Sequence, residues 1–145
     1  MLVSPLSAGA AEHPIESDYY RIISLPIPAD LVVEPGALEL LPDGKLAVGT
    51  RRGEIYLVSG ALADPPNELK FTRFAFGLHE MLGLAYRDGW LYVVQRPELS
   101  RLKDTDADGR ADVFETVNDD WDISGDHHEY AFGSKFDRHG DLWVA

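Results

Sequence analysis

Twelve consecutive residues, Asp104-Thr105-Asp106-Ala107-Asp108-Gly109-Arg110-Ala111-Asp112-Val113-Phe114-Glu115, offer oxygen ligands in the order a calcium ion requires. They fit the loop D-x-[DN]-x-[DN]-G-x5-E at every ligand position. Asp104, Asp106 and Asp108 supply positions 1, 3 and 5, and the main-chain carbonyl of Arg110 supplies position 7. Asp112 stands at position 9, where a water often intervenes, and Glu115 at position 12, where both carboxylate oxygens can bind. Gly109 fills position 6, where the chain turns sharply. No nitrogen or sulfur ligand is offered, so the set suits a hard cation. An acidic turn without an ion is the alternative, since Asp and Gly are common turn residues. Five carboxylates so close together repel one another unless a cation neutralises them. Ala111 replaces the branched apolar residue usual at position 8 of helical calcium loops, Leu91-Tyr92-Val93-Val94 upstream has strand character, and Pro97 interrupts the approach. The expectation is a structural calcium loop between strands.

Histidine is the second source of chemistry. Gly77-Leu78-His79-Glu80 and Asp126-His127-His128-Glu129 each precede a hairpin. A His beside a carboxylate can act as a general base near neutral pH. Either pair can equally do no more than hydrogen-bond its surroundings. His127 could also ligate a metal, but no third nitrogen ligand is in view.

The elements that must position these residues form a repeat. Gly36 to Gly49, Leu82 to Val94 and Gly133 to Val144 each read as a short alternating strand, an Asp-Gly or His-Gly turn, and a more apolar strand. Asp-Gly between alternating runs is a strong hairpin signal and predicts a two-residue type I′ turn. The turn glycines fall at 44, 89 and 140, intervals of 45 and 51 residues. A hairpin recurring at about 40 to 50 residues marks a β-propeller blade. A β-sandwich also strings hairpins together but would not repeat one motif in register. Arg51 to Val58 and Lys70 to Ala75 read as the outer strands of the first blade, and Leu102 to Glu115 as an insertion extending the second. Tyr19 to Leu25 reads as a preceding strand. In an arrangement of this kind, His79-Glu80 and His128-Glu129 would approach one another at the top of a central channel.

A chain of 145 residues with 45% apolar content suits one folded domain. Its formal charge of -12 disfavours nucleic acid and anionic membrane surfaces as partners. Absence of Cys excludes disulfides, thiol catalysis and zinc–thiolate sites. No run of eighteen apolar residues exists to span a membrane. Residues 1–17 read as a leader: Met1 to Ala11 resembles the tail of a signal peptide, ending in small residues of the Ala-x-Ala kind, which gives an expected location in the periplasm or outside the cell, and a floppy N-terminus is the alternative. Asp141-Leu142-Trp143-Val144-Ala145 breaks off within a strand pattern. Residues 18–145 are therefore expected to be the N-terminal part of a longer propeller domain, namely two blades and the start of a third.

Two runs carry a family resemblance: Arg96 to Asp112, and Gly125 to Asp137 continuing through Arg138-His139-Gly140-Asp141-Leu142-Trp143-Val144. They resemble the glucose/sorbosone dehydrogenase superfamily of six-bladed propellers that use pyrroloquinoline quinone. They are most similar to the membrane-bound-dehydrogenase propellers of planctomycetes, which are often fused to helical-repeat and cytochrome c domains. The likeness covers about residues 18–145. It implies a sugar or alcohol substrate, the quinone as cofactor, a cytochrome c domain as a possible partner, and His128 as the catalytic base. Glu129-Tyr130-Ala131 stand where the family usually has glycines after that His. The competing expectation is a non-catalytic, calcium-stabilised propeller that binds carbohydrate or a protein partner, since a fold does not fix a function.

Overall fold

The alternating runs around each turn glycine pair as antiparallel strands. The computed structural model describes residues 13–66, 68–126 and 129–145. Strands β1 (Pro35–Leu40), β2 (Leu46–Thr50), β3 (Ile55–Ser59) and β4 (Lys70–Ala75) form one four-stranded sheet in chain order. Strands β5 (Gly83–Arg87), β6 (Trp90–Val94), β7 (Leu99–Lys103) and β8 (Val113–Asn118) form a second of the same topology. Strands β9 (Lys135–Phe136) and β10 (Leu142–Trp143) make a two-stranded hairpin. All neighbours are antiparallel. The chain is all-β, as expected.

The turns differ in kind. Asp88 (φ 51°) and Gly89 (φ 81°) both have positive φ, as a type I′ turn requires. The other two hairpins close over three residues instead. Gly44 N donates to Leu41 O at 3.0 Å and Leu41 N to Lys45 O at 2.9 Å; Gly140 N donates to Asp137 O at 3.2 Å and Asp137 N to Asp141 O at 2.9 Å. Each is a turn of type I followed by a left-handed glycine. In the first, Pro42 holds φ near -65° and cannot take the positive value a type I′ turn needs.

Two further expectations are corrected. Tyr19 to Leu25 forms no strand; Tyr19, Tyr20 and Ile22 are exposed, and among the described residues no strand pairs with them. Alternation is only half of a strand, and the other half is a partner edge. Leu102 to Glu115 does not extend a finished sheet either. Leu99–Lys103 and Val113–Asn118 pair as β7 and β8, so the acidic residues form the connection inside the sheet.

The sheets pack through a shared core. Ala47, Ile55 and Phe74 of the first meet Leu84, Leu91, Val93 and Leu102 of the second, with Met81 of the connection between them. Completely buried Met81 lies under Gly49, where a Cβ would come within 2.6 Å of its sulfur. The first strands of successive units adjoin: β1 lies against β5, and β5 against β9. At the same position in its strand, four residues before the end, each of the first two carries a glycine under a crossing backbone. A Cβ on Gly36 would stand 2.3 Å from Met81 O, and one on Gly83 2.5 Å from Gly133 O. Glu39 of β1 ties all three units together, accepting from Tyr86 N at 3.2 Å and from Lys135 Nζ at 3.3 Å. Tyr92 meets Phe136 edge-on at 5.0 Å between ring centroids.

Candidate functional site

Chemistry-bearing side chains gather at the two opposite ends of the sheets. The β7–β8 connection lies at the end where β5 turns into β6, and carries the acidic residues. Asp104, Asp106 and Asp108 each bring a carboxylate oxygen within 4.8 Å of the others. Main-chain donors set these carboxylates. Asp104 Oδ1 accepts from Ala107 N at 2.7 Å and Oδ2 from Gly109 N at 2.8 Å; Asp108 Oδ1 accepts from Arg110 N at 2.8 Å. Positive φ at Ala107 (63°) and Gly109 (89°) curls the backbone around the carboxylates.

The last two expected ligands are held elsewhere. Asp112 accepts from Thr105 N at 3.0 Å and from the Thr105 hydroxyl, closing the neck of the loop. That hydroxyl, with the Thr105 N–H, holds the Asp112 carboxyl below its ordinary range, against a smaller opposing effect of burial. Glu115 sits within β8, and Arg101 of β7 donates to it from Nε at 2.8 Å. The structure thus gathers three of the expected side-chain ligands and directs two to local partners. Strand pairing explains the second case, because β8 begins at Val113 and its residues follow a two-residue period.

Ala111 contributes what its small side chain allows. Its N–H donates to Phe74 O of β4 at 2.8 Å, across to the first sheet, and its methyl group packs on the shared core. The acidic loop is therefore a joint between the sheets as well as a turn within one.

At the other end, where β2 and β6 finish and β5 and β9 begin, stand Arg51, His79, Glu80, Arg96 and Tyr130. His79 is exposed; its N–H donates to Gln95 Oε1 at 2.7 Å and its carbonyl accepts from Arg96 N at 3.2 Å. Buried Gln95 also donates to Ser100 Oγ at 2.6 Å, fixing this corner. Glu80 lies between Arg51 Nη2 at 3.7 Å and Arg96 Nη1 at 3.6 Å. Its φ of 39° is unusual for a residue with a long side chain and costs about 1–3 kcal/mol. The Arg96 guanidinium lies 4.9 Å from the centre of the Tyr130 ring. That stack brings the Glu80 corner and the lead-in to β9 together. His127 and His128 themselves lie outside the described residues.

Arg51 and Arg96 were not singled out from sequence. Each follows the second strand of its sheet, a position that is readable only once the strand ends are known. Comparison with known proteins adds nothing here: no family model, no curated protein and no solved structure matches this chain.

Proposed function

We propose that the chain forms successive blades of a β-propeller of the quinone-dependent sugar- or alcohol-dehydrogenase type, with calcium in the 104–112 loop. One observation carries the propeller reading. The first strand of each unit lies against the first strand of the next, and Gly36 and Gly83 admit the crossing backbone at equivalent positions. Repetition of one contact from sheet to sheet generates a fan about an axis, and closure typically takes four to eight blades.

Calcium fits the donor set. Three carboxylates converge, every nearby ligand is oxygen, and the Arg110 carbonyl follows in the same loop. Because Asp112 and Glu115 are engaged locally, Asp104, Asp106 and Asp108 bear most of the binding. An ion there neutralises carboxylates that otherwise repel, and holds rigid the loop that carries Ala111 to Phe74. Saturation at about a hundred times Kd stabilises the folded state by about 2.7 kcal/mol. Calcium should therefore raise Tm, and Asp104→Ala should abolish the rise. A melting curve unmoved by calcium and by chelator would leave an ordinary acidic turn.

Pyrroloquinoline quinone, when bound, supplies the redox chemistry. The chain's own part is to take the proton of a substrate hydroxyl, the role that the resemblance gives to His128. Arg51, with its side chain 57% exposed, is a cation at that end able to meet a carboxylated cofactor or substrate. A dye-linked oxidation assay with calcium and quinone added tests the reading. Absence of quinone-dependent turnover on aldoses and sugar alcohols would favour a binding module instead.

A further inference from the structure

Between the second sheet and the third hairpin lies a cavity of about 800 Å³, within the range of small-molecule sites. Trp121, Tyr130 and Trp143 give it aromatic surface, and Arg96, Asp122 and Glu129 are its charged residues. Among the described residues, the lining therefore carries two carboxylates against one guanidinium, on a chain whose formal charge is -12. The guanidinium is already engaged. It lies 4.9 Å from the centre of the Tyr130 ring and 3.6 Å from Glu80, and its Nη2 donates to the Asp126 carbonyl at 2.8 Å. Asp122 and Glu129 are exposed, and neither side chain has a hydrogen bond or ion pair among the described residues.

Both indoles have spent their one polar group. Trp121 Nε1 donates to the Arg96 carbonyl at 2.9 Å, and Trp143 Nε1 to Asp137 Oδ2 at 3.1 Å. An indole has no other hydrogen-bonding atom, so what these rings still offer a ligand is π surface. Trp143 keeps two thirds of its surface open to solvent. The electron-rich face of an aromatic ring attracts a cation, and Trp does so most strongly.

We propose that this cavity binds an organic cation, an alkylammonium group on a small apolar body, against Trp121 and Trp143 with Asp122 and Glu129 as its counter-charges. A metal ion would leave the indoles unused. A neutral apolar body would leave the two carboxylates without a counter-charge. An anion would meet two like charges across a cavity whose one cation is already paired. An alkylammonium satisfies both kinds of group, because its charge is spread over methyl groups that pack on aromatic rings.

The test is a titration of the chain with choline, following the indole Nε1–Hε1 resonances by NMR, with its uncharged isostere 3,3-dimethyl-1-butanol as control. Choline should shift the Trp121 and Trp143 signals. The Trp90 signal should stay in place, since that ring lies at the far end of the second sheet with Arg101 over it at 4.2 Å. Choline should bind about tenfold more tightly than the isostere. Asp122→Asn and Glu129→Gln together should weaken choline about fivefold and leave the isostere and the fold unaffected, since both side chains are exposed. Equal binding of choline and isostere, shifts confined to Trp90, or an undiminished affinity in the double variant would overturn the proposal. So would a second copy of the chain seated along Trp143, seen by light scattering as a mass that rises with concentration and is unaltered by choline. The site is independent of the dehydrogenase reading. Choline binding without quinone-dependent turnover keeps the one and sinks the other, and turnover without choline binding does the reverse.

Discussion

Asp137 shows how much one carboxylate can organise. It accepts hydrogen bonds from His139 N at 2.8 Å, Gly140 N at 2.9 Å, Asp141 N at 3.0 Å and Trp143 Nε1 at 3.1 Å. The Trp143 indole above all, and then these main-chain donors, hold its carboxyl below the ordinary carboxylate range, while burial opposes them. A depressed folded-state pKa contributes stability that is complete above the unfolded value, about 3.9, and disappears as pH falls through the lower folded value. Acid should therefore loosen the third hairpin. Asp137→Asn keeps an acceptor but removes the charge, so its Trp143 indole resonance should be less sensitive to acid than the wild type's. An identical acid profile in the two proteins would refute this account. The sequence displayed Asp137 only as a turn residue; three of its donors are main-chain groups of that turn, and the fourth depends on where Trp143 comes to lie.

Among the elements, the β7–β8 connection has two roles that substitutions can separate. Asp104 stands with the converging carboxylates, whereas Glu115 is paired with Arg101 along the strands. The calcium-induced rise in Tm should consequently survive Glu115→Gln far better than Asp104→Ala. Equal loss in both variants would mean that Glu115 leaves Arg101 to complete the ion's shell. Ala111→Pro removes the N–H that reaches Phe74 O, and with it the backbone bond between the sheets. A lost hydrogen bond with a buried partner costs about 1–3 kcal/mol, which should appear as a lower Tm both with and without calcium. An unchanged Tm would mean that the core alone holds the two sheets in place.

For the molecule as a whole, the decisive feature is how one sheet meets the next. Gly83 sits beneath the Gly133 carbonyl, so Gly83→Ala must push apart the second sheet and the lead-in to β9. A forced backbone shift of this kind costs about 1–3 kcal/mol. Gly125, with open space around the position of its Cβ, is the control, and Gly125→Ala should be nearly neutral. Urea unfolding of the two variants compares them directly. Similar midpoints for both would refute the close packing of successive units.

Local chemistry was legible in the residues alone. Sequence determined the all-β class, the three turn glycines, the outer strand Lys70–Ala75 and the convergence of Asp104, Asp106 and Asp108, because each depends on neighbours a few positions away. Only tertiary structure decided the rest. Tyr19 to Leu25 alternates like a strand yet finds no edge to join, Glu115 is drawn to Arg101 by the pairing of β7 with β8, and Arg51, Glu80, Arg96 and Tyr130 meet although 79 positions separate the first from the last. A pattern sets what a segment can offer, but the partner it finds is fixed only when distant segments share one core.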